Sequence, residues 1–487
     1  IMSNINERVG SAAKWSIFTE IIVKIISPIT NMILARILVP EEFGVVATVT
    51  MIVSFADIFT DAGFQKYVVQ HQFKTKEDED VSTCVAFWTN ISASLLLWFF
   101  IFIFSNQLAE MVGNPGLGSV IYIGAAILPL TSFSSIQTAL FRKHLDFRGI
   151  SYARIAVKIV PLVVTIPLAL MGFSYWALIV GNIVGELCNA VLLTCLSSWK
   201  PRFVYSFDKL KEMIVFCGWT LLETISAWMV SNIGIFIIGR TFNDYYLGVY
   251  KTSTTMVSQI TSIISAATIS VLFSALSRLQ DDREQYKQIY YKFLRYIGLF
   301  VVPLGAGIFV YRDVVTNILL GSQWKEAYLL IGFWGFILSE SVIFHDMSGT
   351  ITLSKGEPKL LFANNMIQAI LMVPALYFSA RYGFTALVIT SCIVRIQLPI
   401  VQTFFAQMVS GIKVLDIFSE IKSYIIATAV MVIMALVMRS FIHGGILLYL
   451  SIFVCIVAYF GMLWIQKDSR DMITNILNIA KARILRK

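Results

Sequence analysis

The chain has 487 residues, of which 57% are hydrophobic and only 14% charged, with a formal net charge of +9. No soluble domain of this length has use for so much apolar surface, so a globular enzyme and a disordered chain are both excluded. The excess positive charge would suit a nucleic-acid binder, but its placement along the chain argues otherwise.

In chain order, long uncharged runs of about 20 residues recur, each enough to cross a bilayer as a helix. The first predicted spans are 15–38, 43–63, 84–105, 118–141, 150–171 and 174–197. The fifth and sixth are split only by the tight turn Met171-Gly172-Phe173-Ser174. The next six are 214–239, 246–276, 293–318, 327–353, 359–379 and 384–409, and 421–440 and 444–466 complete a set of fourteen. The first run is too long for the apolar core of a secretory leader, so no cleavable signal peptide is expected. Residues 277–292 read as a charged helical extension between spans. In the tail, Met472, Ile473, Ile476, Leu477, Ile484 and Leu485 form a stripe beside Lys481, Arg483, Arg486 and Lys487, which suits an interfacial amphipathic helix.

Charge placement sets the orientation. With the N-terminus inside, only Arg36, Arg240, Arg312, Lys325, Arg381 and Arg439 fall in outside loops. Every other Lys and Arg lies on the inside, except Lys24, Arg154, Lys158, Lys251 and Arg395, which sit within spans. That asymmetry follows the positive-inside rule. It puts both termini in the cytoplasm and removes nucleic acid from the expected partners.

Two stretches repeat. Trp15, Arg36, Gly44 and Val45 answer to Trp219, Arg240, Gly248 and Val249 at a constant offset of 204. A weaker echo relates Gly172-Phe173-Ser174 to Gly383-Phe384-Thr385. An even number of spans per repeat makes the halves parallel, and such halves mark secondary transporters with a site between them. The expected fold is an all-α integral membrane protein with about fourteen spans. Its parts are a lobe at 1–199, a second six-helix lobe at 200–412, two further helices at 413–466 and a basic tail at 467–487.

The six cysteines lie in or beside apolar runs and make no CxxC or Cys/His spacing, so buried thiols are expected and a metal is not. No P-loop, nucleophile elbow or zinc spacing occurs, which leaves neither direct ATP coupling nor an enzyme's motif.

A charge at membrane depth faces a cavity or a partner. Lys24, Lys158 and Arg395 lie near mid-depth, Lys251 nearer the outer end and Arg154 nearer the inner end. As a cationic cavity they would hold an anionic substrate. As ion pairs, Glu20 would neutralise Lys24 at i,i+4, and Glu186, Glu223 or Glu340 would meet Lys158 or Arg395. Both readings stay open. Asp57 and Asp61 share one face of a helix, where two carboxylates offer a proton or Na⁺ site or brace an inner gate. His345-Asp346 is the one in-span His-carboxylate neighbour pair. On an α-helix its two side chains would point to different faces. Glu20, Asp57, Asp61, Glu223, His345 and Asp346 are therefore the coupling or gating candidates. Prolines 28, 161, 167, 303 and 374 fall inside spans and permit kinks.

The opening Gly10-Ser11-Ala12-Ala13-Lys14-Trp15-Ser16, then Leu34-Ala35-Arg36-Ile37-Leu38, Glu42-Phe43-Gly44, and Ala56-Asp57 with Asp61-Ala62-Gly63 resemble the signature of bacterial polysaccharide exporters. These are the Wzx-type flippases of the multidrug/oligosaccharidyl-lipid/polysaccharide superfamily, whose fold is shared by the multidrug (MATE) antiporters. The colanic-acid and teichuronic-acid branch is the most similar. Phe216-Cys217-Gly218-Trp219 and Leu320-Gly321-Ser322-Gln323-Trp324-Lys325-Glu326-Ala327 resemble that branch too. The resemblance implies a flippase for undecaprenyl-pyrophosphate-linked oligosaccharide in the bacterial cytoplasmic membrane. It serves capsule, exopolysaccharide or O-antigen synthesis, with a lateral opening bordered by the first and eighth helices. Its expected partners are that lipid-linked sugar, membrane lipids and the polymerase machinery. No cofactor is expected, proton or Na⁺ coupling is left open, and the two-lobe design points to a monomer. The alternative is a cation antiporter of the same superfamily, which would want net negative charge in its cavity.

Overall fold

The computed structural model describes the backbone of residues 2–487 apart from 62, 72, 145, 443, 467–468, 471, 473 and 475–487. The side chains of 2–14, 16–18, 21, 61, 147, 215–216, 219–220, 223, 266–267 and 270 also lie outside the description. Nearly all of the tail predicted as an amphipathic helix therefore lies outside the described residues.

Among the described residues the chain is helical, with no strand. The first helices are α1 (Met2–Ile37), α2 (Pro40–Asp61), the short α3 (Phe64–Gln70), α4 (Lys76–Met111), α5 (Gly118–Gly124), α6 (Ile127–Lys143), α7 (Phe147–Leu170) and α8 (Tyr175–Leu196). Then follow α9 (Phe207–Thr241), α10 (Asp244–Arg278), α11 (Arg283–Val310), α12 (Arg312–Leu319), α13 (Ala327–Ser341), a π-helical segment at Val342–Met347, and α14 (Ser348–Ser354). The last are α15 (Pro358–Ser379), α16 (Phe384–Arg395), α17 (Gln397–Ser410), α18 (Val414–Phe441) and α19 (Ile446–Ile465).

Among the described residues, eleven helical segments are long and apolar enough to cross a membrane. They coincide with eleven of the predicted spans. The other three, 15–38, 214–239 and 246–276, fall within α1, α9 and α10, each of which includes side chains outside the description. α5 and α6 together make one span, interrupted at Ala125-Ala126, and α16 and α17 make another, interrupted at Ile396.

Local chemistry sets the ends. α4 starts eight residues before its apolar run because Thr75 caps it. The Thr75 hydroxyl accepts from the Asp78 backbone N–H at 3.1 Å, and Glu77, Asp78 and Glu79 complement the helix dipole. The turn at 171–174 uses Gly172 at φ +85° and Ser174 at φ +53°. The stretch 277–292 is two helices rather than one extension. α10 ends at Arg278, and Asp282 caps α11 by accepting from the Gln285 N–H at 3.0 Å. The prolines at 28, 161, 167, 303 and 374 lie inside helices, and two further in-span prolines, Pro129 and Pro399, stand in the first turns of α6 and α17.

The chain divides into two compact units. One comprises 1–259, 317–327 and 365–391. Its core joins α2, α4, α5, α6 and α8 through Val45, Val49, Ile101, Ile121, Leu128 and Ile179. Gly181 and Gly185 let α8 approach α7, since a Cβ at Gly185 would stand 2.7 Å from the Pro161 ring. The second unit comprises 260–316, 328–364 and 392–487. Its core packs α11 on α18 and α19 through Leu294, Ile297, Val302, Ile421, Tyr424 and Tyr459. Large apolar side chains point outward, among them Phe99, Phe100 and Phe102 on α4 and Phe453 on α19. An outer surface of this kind belongs in hydrocarbon. Of the cysteines, Cys84, Cys217, Cys392 and Cys455 are buried as expected, whereas Cys188 is half-buried and Cys195 is exposed on the outward face of α8.

Candidate functional site

Two adjoining cavities lie inside the first unit. One, of about 250 Å³, is lined by Ser54 and Asp57 of α2, Lys158 of α7, and Asn182 and Glu186 of α8. The other, of about 240 Å³, is lined by Asp57 and Thr60, Asn90 of α4, Thr131 and Ser132 of α6, and Glu186 and Asn189 of α8. Asp57 and Glu186 border both. Asp57 Oδ1 accepts from the hydroxyls of Thr60 at 3.0 Å and Thr131 at 3.1 Å. Glu186 Oε2 accepts from Asn189 Nδ2 at 3.2 Å, and the carboxylate interacts electrostatically with Lys158 and with Asp57. Asn90 Oδ1 and Ser132 Oγ are buried there without a hydrogen-bond partner among the described residues. A buried acceptor left open leaves coordination capacity for a cation, a protonated group or water.

The sequence pattern anticipated Lys158 opposite Glu186, and the structure places them in one chamber. It did not anticipate Asp57 facing Glu186, because i,i+4 reasoning looked along α2 to Asp61, whose side chain lies outside the description. Asn90, Thr131, Asn182 and Asn189 were missed as well. A hydroxyl barely disturbs the hydropathy of its run, and an amide, though polar, carries no charge that would single it out from the sequence.

Glu20 sits between two cations of the same unit. Its Oε1 lies 3.8 Å from Lys24 Nζ, and its Oε2 lies 3.0 Å from Arg154 Nη2. Both the expected i,i+4 pair and a cross-helix pair from α7 are present. Lys251 on α10 is half-buried and forms no ion pair among the described residues. The Glu223 side chain lies outside the description.

In the second unit, Arg395 ends α16 with its guanidinium carbon 4.9 Å from the Trp334 ring centroid, a cation–π contact. His345 Nδ1 and Asp346 Oδ1 are 3.0 Å apart. An α-helix would turn these neighbours onto different faces, as expected above. The π-helical segment at Val342–Met347 departs from α-geometry, and the two side chains meet. Thr403 of α17 braces the segment by donating to the Phe344 carbonyl at 2.7 Å. Glu340, one turn earlier, is half-buried and makes no ion pair among the described residues. Among the described residues no group of three or more His, Cys, Asp or Glu is placed to hold a metal.

The two exporter-like motifs touch each other. Gln323 Nε2 donates to the carbonyls of Ala35 at 2.7 Å and Leu38 at 2.9 Å, and Trp324 Nε1 donates to Ala35 at 2.8 Å. The last turn of α1 leaves carbonyls without helical partners, and these donors satisfy them. In this chain the two motifs hold the end of α1 in place.

This helical architecture, with charged and polar groups at membrane depth, defines a multi-pass membrane protein. The fold matches the lipid II flippase MurJ in its inward closed conformation, with TM-score 0.74 at 12% identity over 95% of this chain and all of that one. It also matches an inward-facing multidrug resistance MATE transporter, with TM-score 0.63 at 14% identity over 80% of this chain and 94% of that one. Residues 33–329 match the family described as polysaccharide biosynthesis protein, and the chain belongs to that family. It is 26% identical over 371 residues to the succinoglycan biosynthesis transport protein ExoT of Rhizobium meliloti (strain 1021), covering 76% of this chain and 74% of the relative. It is 21% identical over 385 residues to the lipopolysaccharide biosynthesis protein WzxC of Escherichia coli (strain K12), covering 78% and 76%.

Proposed function

We propose that this protein is a flippase that carries an undecaprenyl-pyrophosphate-linked oligosaccharide from the inner to the outer leaflet of the bacterial cytoplasmic membrane. It is a transporter and not an enzyme. The observation that carries the reading is the pairing of polysaccharide-biosynthesis family membership with the fold of a lipid-linked sugar flippase. Membrane-depth cations support an anionic headgroup over a cationic drug. Lys251 is the strongest of them, because a half-buried ammonium with no ion pair among the described residues has its charge available to a diphosphate. Lys24 and Arg154 share Glu20, so substrate phosphate competes with that carboxylate for them.

In this reading the lobes 1–199 and 200–412 rock about the headgroup, both termini face the cytoplasm, and the lipid tail stays in the bilayer. Lys158 and Arg395 complete the cationic path. The chain works as a monomer beside the polymerase machinery. Coupling runs through the chamber shared by Asp57 and Glu186: one cation, Lys158, faces two carboxylates there, so a proton or Na⁺ completes the charge balance. His345-Asp346 is the second coupling candidate.

The test is reconstitution in liposomes carrying an undecaprenyl-pyrophosphate oligosaccharide, without ATP, with and without proton and Na⁺ gradients. Headgroup exposure on the far leaflet should exceed that of empty liposomes and slow in Lys251→Ala and Arg395→Ala. Asp57→Asn and Glu186→Gln should abolish the response to one gradient while leaving downhill exposure. Export of small organic cations in place of headgroup exposure would make the protein an antiporter and end the flippase reading.

A further inference from the structure

A second site lies in the second unit, apart from the candidate transport and coupling residues above. A cleft of about 890 Å³ lies between the N-terminal parts of α11 and α18, lined by Lys292, Arg295 and Tyr296 on one side and Lys422 and Ser423 on the other, and by Ser469. Its one lining carboxylate, Glu420, is taken by Arg295 in an ion pair. The nearby Asp416 is also engaged, accepting from the Tyr291 hydroxyl at 3.2 Å. Lys292 and Lys422 form no ion pair among the described residues. The cleft is therefore net positive and rich in hydroxyl donors, the chemistry that receives a phosphate.

Directly along the same two helices the character reverses. From Leu299 on α11 and Met431 on α18 runs an apolar groove of about 360 Å³, lined also by Gly307, Ala435, Ile452 and Ile456. On α11 the groove begins one turn after Tyr296. From Leu299 to Val310 it extends ~17 Å, about half of a ~30 Å hydrocarbon core. A cationic cleft followed along the same two helices by one leaflet's depth of apolar groove has the polarity of one lipid molecule.

We infer that α11 and α18 hold an anionic phospholipid, with its phosphate headgroup between Lys292 and Lys422 and one acyl chain along the groove past Gly307. Free phosphate would use the cleft but leave the groove unexplained. The groove selects the lipid as the source, and the net positive lining selects an anionic headgroup over a zwitterionic one. The site is independent of the flipping reaction, so its test does not depend on the substrate.

The experiment is native mass spectrometry of the full chain released from nanodiscs of equal phosphatidylglycerol and phosphatidylcholine. It scores the lipid that survives delipidation. Wild type should keep phosphatidylglycerol over phosphatidylcholine. The double variant Lys292→Gln/Lys422→Gln should lose about tenfold or more in that preference, the weight of two lysines at an anionic surface. Arg295 is left alone because its loss would strand Glu420. Gly307→Leu fills the groove from a position where a Cβ meets nothing within 4 Å, and should lower retention with both lysines in place. Equal retention by wild type and the lysine variant, with both proteins monodisperse, would overturn the site. Displacement of the lipid by millimolar inorganic phosphate, or indifference to Gly307→Leu, would make it a phosphate site and overturn the lipid. Preferential retention of added undecaprenyl phosphate would overturn the phospholipid in favour of the carrier lipid.

Discussion

Gly44 and Gly248, partners in the 204-residue repeat, meet each other where α2 and α10 cross. A Cβ on Gly44 would collide with the Asp244 carbonyl, and a Cβ on Gly248 would collide with the Pro40 carbonyl. Pro40 and Asp244 open the two helices and are themselves repeat partners at the same offset. The contact is thus reciprocal, as in an isologous interface: what one repeat offers the other, it receives in return. Close backbone approach of this kind is how membrane helices associate without a hydrophobic drive between them.

The crossing therefore has no room for a methyl group. Gly248→Ala or Gly44→Ala should destabilise the protein by ~1–3 kcal/mol, the ordinary cost of overpacking, or force the helix ends apart. Gly461→Ala on α19 is the control, since a Cβ there meets nothing within 4 Å. Thermal unfolding in detergent reads the difference. Equal melting temperatures for all three variants would mean that the helices do not cross at these glycines.

Trp324 is fully buried, donates to Ala35 and packs edge-on against Phe43 with ring centroids 5.5 Å apart. Trp324→Phe keeps most of the volume and loses the donor. Gln323 still serves the Ala35 carbonyl, so the cost should be only ~1 kcal/mol. Trp324→Ala adds a cavity and should cost ~3–5 kcal/mol. The same melting experiment separates the two. If both variants lost equally, the hydrogen bond rather than the packing would be the main contribution.

The spans were legible because an apolar run of bilayer length has few other uses. Eleven of them reappear, most within a few residues, but α4 begins eight residues early and α11 ten, and the caps at Thr75 and Asp282 show why the ends drift. The interruptions at Ala125-Ala126 and Ile396 carry a sequence mark that the span reading passed over: Pro129 and Pro399 each follow three residues on and cannot donate to the carbonyl four residues back. The π-helical segment at Val342–Met347 has no such mark, and tertiary contacts such as Thr403 on Phe344 hold it in place. The charged half of the candidate site could be read from cost alone, since Lys158 and Glu186 cannot sit in hydrocarbon unanswered. Its neutral half could not. Thr131 and Asn90 find their partners across helices, at separations that no local pattern encodes.

Asp313, on the short helix α12, grips Arg439 through two hydrogen bonds of 2.7 and 2.9 Å. Burial pushes its carboxyl upward, but the hydrogen bonds and charge of Arg439 outweigh that and hold it below the usual carboxylate range. A depressed carboxyl stabilises the fold fully above its unfolded value of ~3.9 and loses that contribution as pH falls through the folded value. Wild type should therefore lose melting temperature below about pH 4. Asp313→Asn should be less stable at pH 7, by on the order of 1–3 kcal/mol, and should show a shallower acid decline. Parallel pH curves for the two proteins would show that the pair contributes nothing to stability.

Lys251 offers the sharpest separation of stability from transport. A half-buried ammonium carries a desolvation cost that no ion pair among the described residues repays. Replacing it by Met, of similar length and no charge, should leave the melting temperature unchanged or raise it by a few degrees, since ~1 kcal/mol shifts a protein by that order. If the charge is kept for a diphosphate, headgroup exposure in liposomes should at the same time fall about tenfold or more, the weight of one charge-assisted hydrogen bond. The Lys24→Met variant should behave differently: it strands part of Glu20 and should cost stability as well as rate. A destabilised Lys251→Met with unimpaired flipping would reassign this lysine to the scaffold. A stabilised variant with slow flipping would show that the membrane-depth charge is retained for the substrate, at the fold's expense.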